Sequence, residues 1–404
     1  MGESGSLLTS LDCRACCGQF DPTRPTGVCP TCGHTLFATY DLARLDPRTW
    51  RARVIERPAT LWRYRELLPV MRTESIVTLG EGFSPILPLA EAPAAPGVRL
   101  LLKDDGVAPT GSFKARGMAV AVSRAHELGL RELFVPSAGN AGVALSAYGA
   151  RAGIRVRIYL PEQTAASVQE MCRRYGAGVR AVPGTIREAG VVARESEKGR
   201  GSFDMSTLRE PYRVEGKKTM GLEIYEQSPE GGMPDAILYP TGGGTGLVGM
   251  YKAFGELRSV GLLERFPRLY AVQPEGCAPV VRALRDGEPR VTPWEHPTTL
   301  APGLLVPAPF ASERILEAVR ETHGGGVEVT DRQMVEAMAE LAAVHGVSAS
   351  PEGAAPYAAL GALAGDGRIR PGETVLLYNT GSGLSFSLDE LRASLARSAE
   401  GRAA

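Results

Sequence analysis

The sequence predicts an α/β protein: two open three-layer α/β domains with mostly parallel sheets, preceded by a small zinc-ribbon-like module. Three observations carry this expectation. The chain has 404 residues, too many for one ordinary core at about 150 residues per domain. From about residue 97, short apolar runs alternate with helical stretches, the signature of βαβ units around parallel sheets. Five of the seven cysteines, Cys13, Cys16, Cys17, Cys29 and Cys32, fall within the first 32 residues.

The cysteines come first in the chain. Without a secretory leader pattern, such a cluster reads as metal ligation rather than disulfides. Cys13 and Cys16 form one C-x2-C pair, and Cys29 and Cys32 form another. Paired knuckles at this spacing can place four thiolates tetrahedrally around a structural zinc; the alternative is a relic module of reduced cysteines. Cys17 could replace Cys16, and His34 is a spare ligand. A polar, Pro- and Arg-rich stretch follows to about residue 60.

The alternation then sets in. Residues 98–103 read as a strand and 112–129 as a helix; 132–137 and 140–153 repeat the pair, then 154–161 and 164–176, then 178–184 and 185–198. A strand at 235–241, a glycine-rich turn and a helix at 246–261 resume the order, and the segments 268–276 and 373–383 supply later strands. The expected organisation is a module at 1–45, a larger domain from 46–119 and 212–386, a smaller mobile α/β domain at 120–211, and a tail at 387–404.

Composition excludes several partners. Lys+Arg and Asp+Glu are both 45, giving zero formal net charge, a poor basis for nucleic-acid binding. No apolar run approaches the roughly 18 residues of a membrane span. A cytoplasmic enzyme acting on a small molecule is the expected class. Histidine is rare at 5, and lysine occurs only at 103, 114, 198, 217, 218 and 252.

Four loops lie at or beside predicted strand ends, where open α/β sheets bind ligands. Pro109-Thr110-Gly111-Ser112-Phe113-Lys114 puts a lysine in the first turn of a helix. Helix starts favour acids, so the lysine is misplaced for stability but suited to a Schiff base that needs a neutral amine; an exposed lysine beside a serine cap is the plain alternative. Ser137-Ala138-Gly139-Asn140 follows a strand, and Asn140 opens a helix as a ligand or an N-cap. Gly242, Gly243, Gly244, Thr245 and Gly246 can form a nest of N–H groups for a phosphate. No lysine follows, so this is not a Walker A loop, and the dinucleotide spacing is absent. Asn379-Thr380-Gly381-Ser382-Gly383, after the last strand, offers hydroxyl groups or is a plain turn. Together the loops ask for a carbonyl, a phosphate and polar ring atoms on one ligand, as in pyridoxal phosphate.

With these loops, Leu61-Trp62-Arg63-Tyr64, the Gly80-Glu81-Gly82-Phe83-Ser84-Pro85 turn and the cysteine module, the sequence resembles the fold-type II pyridoxal-phosphate enzymes, tryptophan synthase β-like in fold, and among them the threonine synthases and their relatives. The resemblance implies that Lys114 carries the cofactor and moves the substrate α-proton. It implies that Asn140 bonds the cofactor's 3-hydroxyl, that Gly242 to Gly246 hold its phosphate, and that Thr380 meets the pyridine nitrogen. Thr110 and Ser137 would bind the substrate α-carboxylate. The implied activity is elimination or replacement on an amino acid, most simply conversion of O-phosphohomoserine and water to threonine and phosphate. Ala115 stands where threonine synthases carry an aspartate, and Ser-Ala-Gly-Asn is more like threonine and serine dehydratases. An ammonia-lyase of that type, a cysteate synthase-like β-replacement enzyme, and a non-catalytic cofactor-binding protein are therefore the alternatives. Family members are commonly dimers, so a homodimer is expected.

Overall fold

The computed structural model describes residues 5–228 and 232–403. The first four residues of the expected module and Ala404 of the expected tail lie outside them. The chain divides into two compact units. One holds the chain up to Phe83, Lys114–Glu223 and Gly249–Glu264; the other holds Ser84–Phe113, Ile224–Val248 and the chain from Arg265 onward.

In the first unit, β1 (Leu8–Cys13) pairs antiparallel with β2 (Gln19–Phe20) and β3 (Leu36–Tyr40). Helix α1 (Pro47–Glu56) starts where Asp46 accepts from the Arg48 N–H, with proline at the first helical position, both ordinary start signals. The second unit opens with β4 (Ile86–Pro88) and β5 (Arg99–Asp104). The chain returns to the first unit with α2 (Lys114–Glu127), β6 (Glu132–Pro136), α3 (Asn140–Ala152), β7 (Arg155–Pro161), α4 (Ala166–Arg174), β8 (Gly178–Val182), α5 (Ile186–Glu197), β9 (Phe203–Asp204) and the part of α6 (Arg213–Gln227) before Ile224. The rest comprises β10 (Ala236–Pro240), α7 (Thr245–Ser259), β11 (Arg268–Pro274), α8 (Pro279–Arg285), α9 (Ser312–Glu321), β12 (Gly325–Val329), α10 (Asp331–His345), α11 (Pro351–Ala358), α12 (Leu360–Gly365), β13 (Thr374–Asn379) and α13 (Leu388–Ala403).

The smaller sheet runs β8-β7-β6-β9 and is parallel throughout; the larger runs β12-β11-β10-β13-β5-β4, with β4 alone antiparallel. The mostly parallel α/β expectation therefore holds. The larger sheet is buried beneath Met334, Met338, Leu341, Tyr357 and Leu360 of its helices, as continuous apolar strands require. Among the described residues no helix is long and apolar enough to cross a membrane.

Among the elements the alternation-based reading leaves out, α6 and β12 have physical reasons that the structure shows. Helix α6 carries Glu215, Lys217, Lys218 and Glu223 into the interior, all 1% exposed or less. Lys218 Nζ lies 2.7 Å from Glu215 and 2.8 Å from Glu256, Lys252 joins both acids, and the Tyr40 hydroxyl donates to Glu215 at 2.9 Å. Paired charges thus occupy positions where periodicity looks for leucine. Strand β12 follows Gly324 and begins Gly325-Gly326, which reads as a turn. A Cβ at Gly324 would sit 1.8 Å from the Leu269 carbonyl oxygen, and one at Gly326 would sit 2.9 Å from Val281 Cα. The glycines are what let this edge strand close on β11 and α8.

Candidate active site

The lysine segment is built by its neighbours. Pro109–Gly111 forms a tight 3-10 turn in which Thr110 has φ +64° and Gly111 φ +70°. A β-branched residue rarely adopts this conformation, which costs about 1–2 kcal/mol. The turn is clasped to the loop after β13. Ser112 bridges antiparallel to Gly381, Phe113 N–H donates to the Thr380 carbonyl at 3.0 Å, and Ser382 N–H donates to the Gly111 carbonyl at 2.9 Å. The Oγ atoms of Thr110 and Ser112 are buried without a hydrogen-bond partner. Ser112 is therefore not capping α2. Lys114 follows Phe113 directly as the first residue of that helix and is half-buried.

In the first unit, α2 packs along α3. Asn140 is the first residue of α3; the cap is Gly139, whose extended backbone makes no side-chain cap. The Asn140 side chain is thus not used as an N-cap. The Ser137 hydroxyl turns into its own loop and accepts from Gly142 N–H at 2.9 Å.

In the second unit, Gly242 to Gly246 lead from β10 into α7. Side chains are excluded here. A Cβ at Gly242 would lie 2.4 Å from the Gly303 carbonyl oxygen, one at Gly244 (φ +68°) 2.2 Å from Ile315 Cδ1, and one at Gly246 2.1 Å from the Tyr239 hydroxyl. The first turn of a helix leaves N–H groups without intrahelical acceptors. The loop has no charged residue, so N–H groups and the Thr245 hydroxyl are what it could offer to an anion. Residues 77–381 match the family described as pyridoxal-phosphate dependent enzyme. The chain belongs to that family.

This pyridoxal-phosphate dependent enzyme is 33% identical over 373 residues to the threonine synthase of Methanosarcina acetivorans, covering 92% of this chain and 91% of the relative. It is 31% identical over 384 residues to that of Methanocaldococcus jannaschii, covering 95% and 94%. Among solved structures it is similar to the threonine deaminase of T.th., with TM-score 0.61 and 27% identity over 75% of this chain and 94% of that one. It is a threonine synthase-like member of fold type II.

The residues present fit the family's cofactor: a glycine cradle at a helix start and a lysine amine opening another helix. Sequence reasoning missed what stands behind these loops. Tyr239 packs edge-on against Phe113 and Tyr378, and Asn379 is a buried amide at the end of β13. The sequence placed Asn379 at the head of the fourth loop but gave it no role.

The cysteine cluster can be tested against zinc geometry. The Sγ atoms of Cys13, Cys16, Cys29 and Cys32 all lie within 4.8 Å of one another; Cys13 and Cys32 are 3.4 Å apart, and Cys16 and Cys29 3.6 Å. A tetrahedral site with Zn–S near 2.3 Å needs sulfurs about 3.8 Å apart, so the set fits. The cluster does not include Cys17 or His34, whose Nδ1 lies 3.1 Å from the Cys32 carbonyl oxygen. Burial raises the Cys29 thiol, but the N–H groups of Cys32 and Thr31 together with the neighbouring Cys16 and Cys32 thiols outweigh it and bring it to about 6.

Proposed function

We propose that the protein is a threonine synthase, converting O-phosphohomoserine and water to threonine and phosphate. The observation that carries this is the near full-length match to curated threonine synthases, 92% of this chain and 91% of the relative in one case. Bound pyridoxal phosphate supplies a carbonyl for an amine and an electron sink for the substrate carbanion. Lys114 Nζ is the amine that would hold that carbonyl, and it would serve as the base that takes and returns the substrate α-proton. The N–H groups of Gly242, Gly243, Gly244, Thr245 and Gly246 hold the phosphate. Asn140 bonds the 3-hydroxyl. Thr380 presents a neutral hydroxyl to the pyridine nitrogen, which favours elimination and replacement over transamination. Thr110, whose Oγ1 is buried and unpaired, and Ser137 take the substrate α-carboxylate.

Cys13, Cys16, Cys29 and Cys32 are proposed to hold a structural zinc. Residues 120–211 are proposed as the smaller mobile domain and 46–119 with 212–386 as the larger, in a cytoplasmic homodimer. A second reading, a threonine or serine ammonia-lyase, is favoured by one feature, the Ser137-Ala138-Gly139-Asn140 loop. Incubation with O-phosphohomoserine, threonine and serine separates the two. Phosphate and threonine in equal amounts support the first. Keto acid and ammonia from threonine or serine, with no phosphate released from O-phosphohomoserine, replace it with the second. Lys114→Ala should lose both the visible absorbance of the covalently held cofactor and turnover.

A further inference from the structure

We propose that Asn379, held by Asp104, is a positioning residue that sets Thr380 against the pyridine nitrogen. This rests on the reading of Thr380 given above. Strand β13 carries Val375, Leu376 and Leu377 in its middle and ends at Asn379, which is only 1% exposed. The parallel register places it opposite Asp104 at the end of β5. Its Nδ2 donates to Asp104 Oδ1 at 2.8 Å, and the same oxygen accepts from Gly106 N–H at 2.8 Å. Its Oδ1 accepts from Gly381 N–H at 3.2 Å. One amide therefore reaches past Thr380 and holds the residue on its far side.

The surroundings are shaped to this amide. A Cβ at Gly353 would come within 1.9 Å of Asn379 Oδ1, and one at Gly106 within 2.9 Å of its Nδ2. Both neighbours lack a side chain where the amide lies. The backbone around Thr380 is fixed as well: its carbonyl accepts from Phe113 N–H, and the Gly381 carbonyl accepts from Ser350 N–H at 2.9 Å. With both flanks tied, the Thr380 hydroxyl has little freedom beyond its own χ1. A hydroxyl bonding a ring nitrogen must stay within about 3 Å of it, so a shift of about 1 Å breaks the contact. The bond from Asn379 to Asp104 also polarises the amide and strengthens its oxygen as an acceptor for Gly381.

The test uses holoenzyme of wild type, Thr380→Val, Asn379→Leu and the double variant, with Gly353→Ala as a second way to displace the amide. The readouts are the visible absorbance of bound cofactor, its pH titration, and kcat and KM. Thr380→Val should shift the absorbance and lower kcat. Asn379→Leu and Gly353→Ala should shift it in the same direction, with kcat down about tenfold or more and KM within about threefold. Adding Asn379→Leu to Thr380→Val should change nothing further. Asp104→Asn keeps an oxygen at the accepting position and should recover most of what Asp104→Leu loses. If Asn379→Leu acts in full on the Thr380→Val background, or leaves the absorbance unmoved while only stability falls, the positioning role is wrong. If Thr380→Val itself does nothing, the reading of Thr380 falls and this proposal with it.

Discussion

Gly246→Ala is the sharpest probe of the phosphate cradle. The added methyl would meet the Tyr239 hydroxyl at 2.1 Å and its Cζ at 2.2 Å. Tyr239 cannot swing aside, because it is 2% exposed and wedged between Phe113, with ring centroids 6.2 Å apart, and Tyr378, at 5.5 Å. The start of α7 must move by about 1.3 Å to restore an ordinary contact. Such a shift stretches N–H···phosphate bonds of about 2.9 Å past the distance at which they hold. Losing about two of them at about 1.5–3 kcal/mol each weakens cofactor binding by about 3–6 kcal/mol, or roughly 10²–10⁴-fold. Titrating apoprotein with pyridoxal phosphate and following absorbance measures this directly. Gly255→Ala on the same helix is the control: its Cβ would meet nothing within 4 Å, so affinity should be unchanged and the helix slightly stabilised. Affinity of Gly246→Ala within about threefold of wild type would refute the assignment of this loop to the phosphate.

Three further outcomes follow from other sites. Arg116 and Glu223, both 1% exposed or less, form a bidentate pair, and Glu223 also accepts from Phe83 N–H at 2.7 Å. Arg116→Met should cost about 3–5 kcal/mol by stranding the acid, and Arg116→Met with Glu223→Met should melt higher than the single variant; the reverse order in a thermal melt would show that the charges are not buried as a pair. Glu210 is buried and its carboxyl is pushed up from 4.5 to about 7, while burial also lowers Arg213 beside it. A folded-state value above the unfolded one means stability present below about pH 4.5 and lost as pH rises through 7. Relative to wild type, Glu210→Gln should therefore gain about 2–3 kcal/mol at most between pH 5 and pH 8, and parallel melting curves across that range would rule it out. Metal analysis should find about one zinc per chain, lost in the Cys29→Ser, Cys32→Ser double variant together with order in the module; no metal in either protein would leave the cysteines as a relic.

The glycine loop was legible because its residue types are costly anywhere else. Three glycines of the 242–246 run face collisions that only glycine avoids, so the run is visible in sequence. The parallel strand β10 was legible because it is apolar and buried throughout, and β7 because Val156, Ile158 and Leu160 alternate with more polar positions near its start. What stayed hidden depends on pairing across the chain. Glu215 and Lys218 look like a solvated helix face until Lys252, Glu256 and Tyr40 are seen around them. Asn379 looks like a turn residue until β5 brings Asp104 alongside it. Thr110 gives no local sign that its backbone sits at φ +64°.

The lysines show how structure changes a compositional argument. Scarcity alone draws attention to every one of the six, and burial does not separate them, since Lys103, Lys217 and Lys218 are all 1% exposed or less. Lys103 donates to the Ser84 carbonyl at 2.6 Å and to Gln227 at 2.7 Å. Lys218 and Lys252 share Glu215 and Glu256. The amines of these three are taken up by acceptors and serve packing. Lys198 is exposed beyond the end of α5. Lys114 differs in position: it opens a fourteen-residue helix directly after a backbone segment pinned to the Thr380 loop. A helix start disfavours a cation, so that placement is unusual for an ordinary surface lysine and suits the amine role proposed above. If Lys114 is the amine proposed above, its place in the chain, directly after Ser112 and Phe113, is what sets it apart from the other lysines.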